Sequence, residues 1–224
     1  GDANANTLTA NQGAGVIDIL IGGRGNDVLI SDGGADVLRG GQGDDTLSIP
    51  DADFSSTRRL QGGNGTDTLR LDGSGITLDL TAIADNRITD IEVIDIGGSG
   101  INTLTLTRIE VVNLSSHSNT LRVTAGADDT VNIGRGWTEI SSEMIDGALY
   151  RSFTQGVAVL KVANEASVVS AVFVVNSTAD KVDLNPGNGI VDTGTPDEIT
   201  LRAAIMEANA LAGSEMISIP AGTY

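Results

Sequence analysis

The chain has 224 residues, 40% of them hydrophobic, which is enough for a buried core in one or two domains. Thirteen Lys and Arg against 30 Asp and Glu leave a formal net charge of −17, which repels phosphate backbones and anionic membrane surfaces, so no nucleic acid is expected as a partner. There is no cysteine to form a disulfide, and no apolar run approaches membrane-spanning length, so no membrane span is expected.

No basic segment followed by an apolar one opens the chain. It starts without Met and stops just after IPAGTY, and reads as a piece of a longer protein.

The first informative stretch is residues 22–48, where Asp27, Asp36 and Asp45 stand nine residues apart, each followed two places on by Leu29, Leu38 or Leu47. No amphipathic helix has this period, and none tolerates this much glycine. The unit reads G-G-x-G-x-D-x-L-x. It is complete at Gly22-Gly23-Arg24-Gly25-Asn26-Asp27 and Gly40-Gly41-Gln42-Gly43-Asp44-Asp45, and again at Gly62-Gly63-Asn64-Gly65-Thr66-Asp67. Residues 31–39 keep Gly34, Asp36 and Leu38, and residues 13–21 keep Asp18 and Leu20. Glycines let the backbone turn tightly and expose carbonyl oxygens. The Asp closes the turn and presents a carboxylate, and the apolar residue two places on points inward from a short strand. Carbonyls and carboxylates suit a hard cation, and Ca²⁺ takes about six to eight oxygens, which two stacked turns supply and one cannot.

These residues resemble the RTX, or hemolysin-type, calcium-binding nonapeptide repeats, which coil into a parallel β-roll. The resemblance implies two repeats per coil, with turns alternating between two sides and a Ca²⁺ between repeat n and repeat n+2. Carried over, Asp27 and Asp45 face one ion, with carbonyls from 22–26 (Gly22, Arg24 and Asn26 among them) and from 40–44 (Gly41 and Gly43). Asp18 and Asp36 flank a second ion on the other side, although Val16 and Ile17 break the first turn there. With residues 49–61 as an enlarged half-turn, Asp45 and Asp67 pair across a third site that includes Gly63 and Gly65. The resemblance also implies a module disordered without Ca²⁺ that folds after export, when millimolar calcium supplies the folding free energy.

From Leu69 to about Ile133, strand-like runs recur: DTLRLDG, ITLDLTAI, IEVIDIGG, NTLTLT, IEVVNLS, NTLRVTAG, DTVNIG. The tripeptide NTL appears at 102–104 and 119–121, a spacing near one coil. The solenoid is expected to continue with larger turns and without metal; a small sandwich of the same strands is the alternative. The aromatics Trp137, Tyr150 and Phe153 mark a hairpin-rich cap, or else a sugar-binding platform. This stretch is similar to a segment found downstream of RTX repeats in very large bacterial adhesin-like proteins.

In residues 171–224, Ala171 to Val175 reads as a buried strand. Thr195-Pro196-Asp197-Glu198 reads as a helix start, with Leu201, Ile205 and Ala208 on one face and an end near Gly213. Met216 to Ile219 reads as another strand. VNSTAD at 175–180, Asn185-Pro186-Gly187, TLRAAIMEAN at 200–209 and Ile219 to Tyr224 resemble the CSLREA-type segment that opens right-handed β-helices on bacterial exoproteins. That family often carries a cysteine pair here; Val191 and Ile199 stand at the corresponding places.

The expected architecture is all-β. A calcium-binding β-roll occupies 1–70, a solenoid-like continuation and cap 71–165, and a CSLREA-like segment with one short helix 166–224. No enzyme is expected. His117 is the lone histidine, in a polar loop beside Ser116, without a triad's third group. DGSG and GGSG lack the nucleophile-elbow spacing, and no His/Cys cluster suits zinc. Function is expected to be structural, outside the cell or on a bacterial surface, in adhesion, a surface layer or a filament. Calcium is the expected partner, with self-association and a cell-surface or carbohydrate target as further ones. The alternative is the export-linked tail of a secreted protease, lipase or glycosidase whose catalytic domain lies elsewhere.

Overall fold

The computed structural model describes residues 1–10, 16–33, 35–51, 58–188, 190–211 and 215–221. It divides into two compact units, residues 1–131 with 138–167, and residues 132–137 with 168–224.

The first unit is a parallel coil. Its early turns run through β1 (Thr7–Thr9), β2 (Ile19–Arg24), β3 (Val28–Ile30), β4 (Val37–Gln42), β5 (Thr46–Ile49), β6 (Arg59–Asn64) and β7 (Thr68–Leu71). Later turns add β8 (Thr77–Asp79), β9 (Ile88–Thr89), β10 (Val93–Asp95), β11 (Thr103–Thr105), β12 (Thr120–Thr124) and β13 (Thr130–Asn132). Strands stack into separate parallel sheets: β1-β3-β5-β7-β10-β12 on one face, β2-β4-β6-β9 on the second, and β8-β11-β13 on a third. The apolar residue two places after each Asp forms the core. Leu29, Leu47 and Leu69 stand in register and continue through Ile94, Val123 and Val162, all fully buried. The middle of the chain is therefore a coil and not a sandwich: β10 and β12 extend the same sheet that the repeats begin.

Two readings of this region change. IEVVNLS is a helix, α1 (Arg108–Leu114), not a strand. Thr107 and Glu110 form a capping box, with Thr107 N–H donating to Glu110 Oε2 at 2.7 Å and Ile109 N–H to Thr107 Oγ1 at 3.3 Å. This satisfies the amides of Thr107 and Ile109, while Val111 and Leu114 are buried. The two NTL tripeptides are not one coil apart either. Leu104 pairs with Leu78 on the third face, whereas Leu121 pairs with Leu160 on the first. The true repeat here, Asn102 to Asp129, is 27 residues.

An antiparallel hairpin of β14 (Thr138–Ile145) and β15 (Ala148–Gln155) turns into β16 (Ala158–Ala163), which rejoins the first sheet beside β12. Tyr150 and Phe153 are buried in it, so these two present no stacking surface to a sugar. Strand β17 (Ser167–Val169) follows.

In the second unit, β18 (Ala171–Val174) pairs in parallel with β19 (Glu215–Ser218), and α2 spans Leu201–Ala210. Phe173, Val175 and Ala204 form its core, and Val191 and Ile199 both pack against them. The helix starts later than the Thr-Pro-x-Glu pattern predicts. Asp197 takes a left-handed φ of 58°, and Thr200 is the cap, accepting from Ala203 N–H at 3.2 Å. Glu198 is engaged instead by Lys181 (2.6 Å), Thr193 (2.8 Å) and Ser177 (2.8 Å). The buried face is Ala203, Ala204 and Glu207, and Ile205 is exposed. Gly213 lies outside the described residues.

Candidate metal centre

Strands β3, β5, β7 and β10 of the first sheet are each preceded by a residue whose side chain reaches back one coil. Asn6 N–H donates to Asp27 Oδ1 at 2.7 Å, Asp27 N–H to Asp45 Oδ1 at 2.7 Å, Asp45 N–H to Asp67 Oδ1 at 2.8 Å, and Asp67 N–H to Glu92 Oε2 at 2.9 Å. The sequence separations are 21, 18, 22 and 25 residues. Turns of different length thus deliver one rung each. Asp27, Asp45 and Asp67 are each no more than 1% exposed. Their Oδ1 atoms are satisfied, but their Oδ2 atoms are buried and accept no hydrogen bond. An anionic oxygen out of water without a donor is costly, and a cation is the remaining partner that suits it.

Backbone carbonyls join these oxygens. A Cβ on Gly40 would stand 2.6 Å from the Gly62 carbonyl oxygen and inside contact distance of Asp45 Oδ2. Gly22 repeats this arrangement with the Gly40 carbonyl and Asp27 Oδ2. Only a residue without a side chain leaves room for the carboxylate and the next coil's carbonyl. Gly41 stacks in register on Gly23, and Gly63 on Gly41. Gly43 N–H donates to Asn64 O at 2.9 Å, and Gly65 follows in the same turn of the next coil. Arg24 N–H bonds to Asp2 O at 3.0 Å, and the Arg24 side chain is exposed. Asn26 belongs to an outer ladder: its Oδ1 accepts from Asp44 N–H at 2.9 Å, and Asp44 Oδ1 accepts from Thr66 N–H at 2.8 Å.

At the opposite corner, Asp18 N–H donates to Asp36 Oδ1 at 2.9 Å, and Asp18 Oδ2 is buried without a partner. Asp32 joins them: carboxylate oxygens of Asp18, Asp32 and Asp36 lie within 4.8 Å of one another. Among the described residues this is the one cluster of three such groups at that spacing. Asp32 stands where the complete repeats have their second glycine; its signal in the sequence is that substitution. The next residue in register after Asp36 is Arg58, fully buried and 2.6 Å from Asp51 Oδ1. This corner therefore carries two rungs of acid and then a fixed cation.

Electrostatics follows the geometry. Burial raises the Asp67 carboxyl to about 7, with repulsion from Asp45, Glu92 and Asp44 adding to it, and Asp45 and Glu92 are raised for the same leading reason. Carboxylates arranged this way oppose one another's ionisation.

The fold and these corners define a parallel β-solenoid whose turns carry ladders of buried carboxylate and carbonyl oxygen. Residues 12–47 match the family model of the RTX calcium-binding nonapeptide repeat, in four copies. By that match the stretch is a calcium-binding repeat array of the kind found in secreted proteins. No curated protein and no solved structure matches the chain. Among the described residues, no helix is long and apolar enough to cross a membrane.

Proposed function

We propose that the chain is a non-catalytic spacer of a secreted or surface-attached bacterial protein, in which Ca²⁺ fastens successive coils. The carrying observation is the buried, unpartnered Oδ2 of Asp27, Asp45 and Asp67, repeated coil after coil. In this reading Asp27 with Asp45, and Asp45 with Asp67, hold ions together with carbonyls of the glycine turns (Gly22, Arg24, Asn26, Gly41, Gly43, Gly63 and Gly65). Asp18, Asp32 and Asp36 hold another at the opposite corner. Bound Ca²⁺ would supply positive charge between the coils, coordinated by their carboxylate and carbonyl oxygens. The protein's own groups do the rest: main-chain N–H donors fix each Oδ1, so each Oδ2 points at one place, and the leucine column keeps the coils in register.

Without the ion, burial and mutual repulsion disfavour the charged ladder, so folding is tied to calcium concentration. A segment that is loose in the cell and rigid outside it suits export followed by a spacing role in adhesion, a surface layer or a filament. The CSLREA-like second unit fits such an arrangement, since it resembles a piece that introduces further β-helix.

The test is far-UV circular dichroism of the full chain titrated with Ca²⁺ after chelation. A cooperative gain of β signal that saturates below millimolar calcium supports the reading. Full β content in excess chelator, unchanged by calcium, removes it.

A further inference from the structure

The repeat motif ends at Asp67, but the ladder of oxygens does not. In register, Gly62 is followed by Asp90, because β6 pairs with β9 as Leu60 with Ile88 and Gln61 with Thr89. The Asp90 carbonyl oxygen crowds the Cβ position of Gly62, as the Gly62 carbonyl crowds that of Gly40. Asp90 reaches this place with a left-handed φ of 56°, a conformation that is sparsely populated outside glycine. Its carboxylate is held aside by Gln61 Nε2 at 3.3 Å.

The turn that follows is cut short. From Gly62 the chain needs GGNGTD to reach the ladder at Asp67, whereas from Asp90 it needs only Asp90-Ile91-Glu92. The backbone nevertheless rejoins the ladder, with Val93 N–H donating to Asp67 O at 2.9 Å as Thr68 N–H does to Asp45 O at 2.8 Å, and a glutamate stands where the earlier coils have aspartate. The Glu92 carboxylate still arrives on the ladder, accepting from Asp67 N–H at 2.9 Å. Asp67, fully buried, keeps an Oδ2 with no hydrogen-bond partner beside the Asp90 carbonyl.

We infer that Asp67, the Asp90 carbonyl and Glu92 form a further divalent-cation site, one coil beyond the nonapeptide motif. The site takes a hard cation such as Ca²⁺, with the Asp67 Oδ2, a Glu92 carboxylate oxygen and the Asp90 carbonyl as protein ligands. Glu92 is half-buried, which leaves room for water to complete the shell. It joins the calcium repeats to the wider, glycine-poor coils, so the cation-held portion runs past the sequence signature. The inference rests on the calcium reading of the repeats but concerns different residues.

The experiment is native mass spectrometry of the full chain in calcium, wild type against Glu92→Gln and Asp27→Asn. Gln keeps an oxygen for the Asp67 amide but removes the charge. Glu92→Gln is expected to hold one ion fewer than wild type at subsaturating calcium. An unchanged count in Glu92→Gln, with a reduced count in Asp27→Asn, overturns this site and leaves the repeat reading standing. A wild type that binds no calcium overturns both. Should Glu92→Gln fail to fold, an anomalous difference map of the wild type in calcium decides. A peak between Asp67 Oδ2 and Glu92 supports the site, and a peak between Asp27 and Asp45 with none there overturns it.

Discussion

The amide of Asp27 donates to Oδ1 of Asp45 at 2.7 Å across 18 residues of sequence, and both side chains are buried. One carboxylate oxygen thus replaces a backbone partner at the corner between two sheets, while the other is buried with no hydrogen-bond donor. The same half-and-half use of a carboxylate recurs at Asp67 and sets what can be tested.

The two roles separate in Asp45→Asn. Asparagine offers the same acceptor to Asp27 N–H, as Asn102 does for Ile76 N–H at 2.8 Å at the third corner. It removes the charge that opposes folding in the absence of metal. The variant is expected to be more ordered than wild type in chelator and to need at least tenfold more calcium for its full β signal. Circular dichroism over a calcium titration checks both halves.

Metal-free stability depends on pH with a defined sign. The folded Asp67 carboxyl sits at about 7 against a reference of 3.8, and Asp45 and Glu92 are raised as well. The folded chain binds more protons than the unfolded one between these values, so stability is present below about pH 4 and is lost as pH rises through about 7. In chelator the β signal should be greater at pH 5 than at pH 8. In saturating calcium the order should reverse, because protons compete with the ion.

Gly40→Ala places a methyl group 2.6 Å from the Gly62 carbonyl oxygen. Overpacking of this kind costs about 1–3 kcal/mol. The expected result is a raised calcium midpoint with the same final spectrum.

Leu47 is fully buried in the core column between Leu29 and Leu69. Leu47→Ala should cost about 2–5 kcal/mol, read from denaturant unfolding in calcium. Ile140, on the exposed strand β14, should lose under about 0.5 kcal/mol on the same change.

In the second unit the cap is decided between two threonines. Thr200 Oγ1 accepts from Ala203 N–H and donates to Lys181 O at 2.7 Å, whereas Thr195 Oγ1 accepts only from the exposed Lys181 Nζ among the described contacts. Thr200→Ala should cost about 1–2 kcal/mol and Thr195→Ala much less, measured as helical signal against temperature.

What the sequence determined by itself is what repeats locally. The nine-residue period, the Asp that closes each turn and the Leu two places on are properties of a turn and one strand, and they dictated the calcium-binding coil. Glycine spacing also placed Asp27, Asp45 and Asp67 in one frame despite the longer stretch at 49–61, because that insertion leaves the strands on either side of it in register. Beyond Asp67 the turns change length, and local pattern no longer says which face a strand joins. IEVVNLS has the composition of a strand, yet a capping box and an inward Val111 and Leu114 make it a helix. Thr-Pro-x-Glu has the form of a helix start, yet Glu198 is drawn away by Lys181 and the helix waits for Thr200. Asp32, Asp90 and Glu92 carried no motif. They became part of the corners only when stacked coils set a carboxylate or carbonyl over the turn before it. That register is fixed by burial of the apolar column along the whole solenoid, and only the tertiary structure decides it.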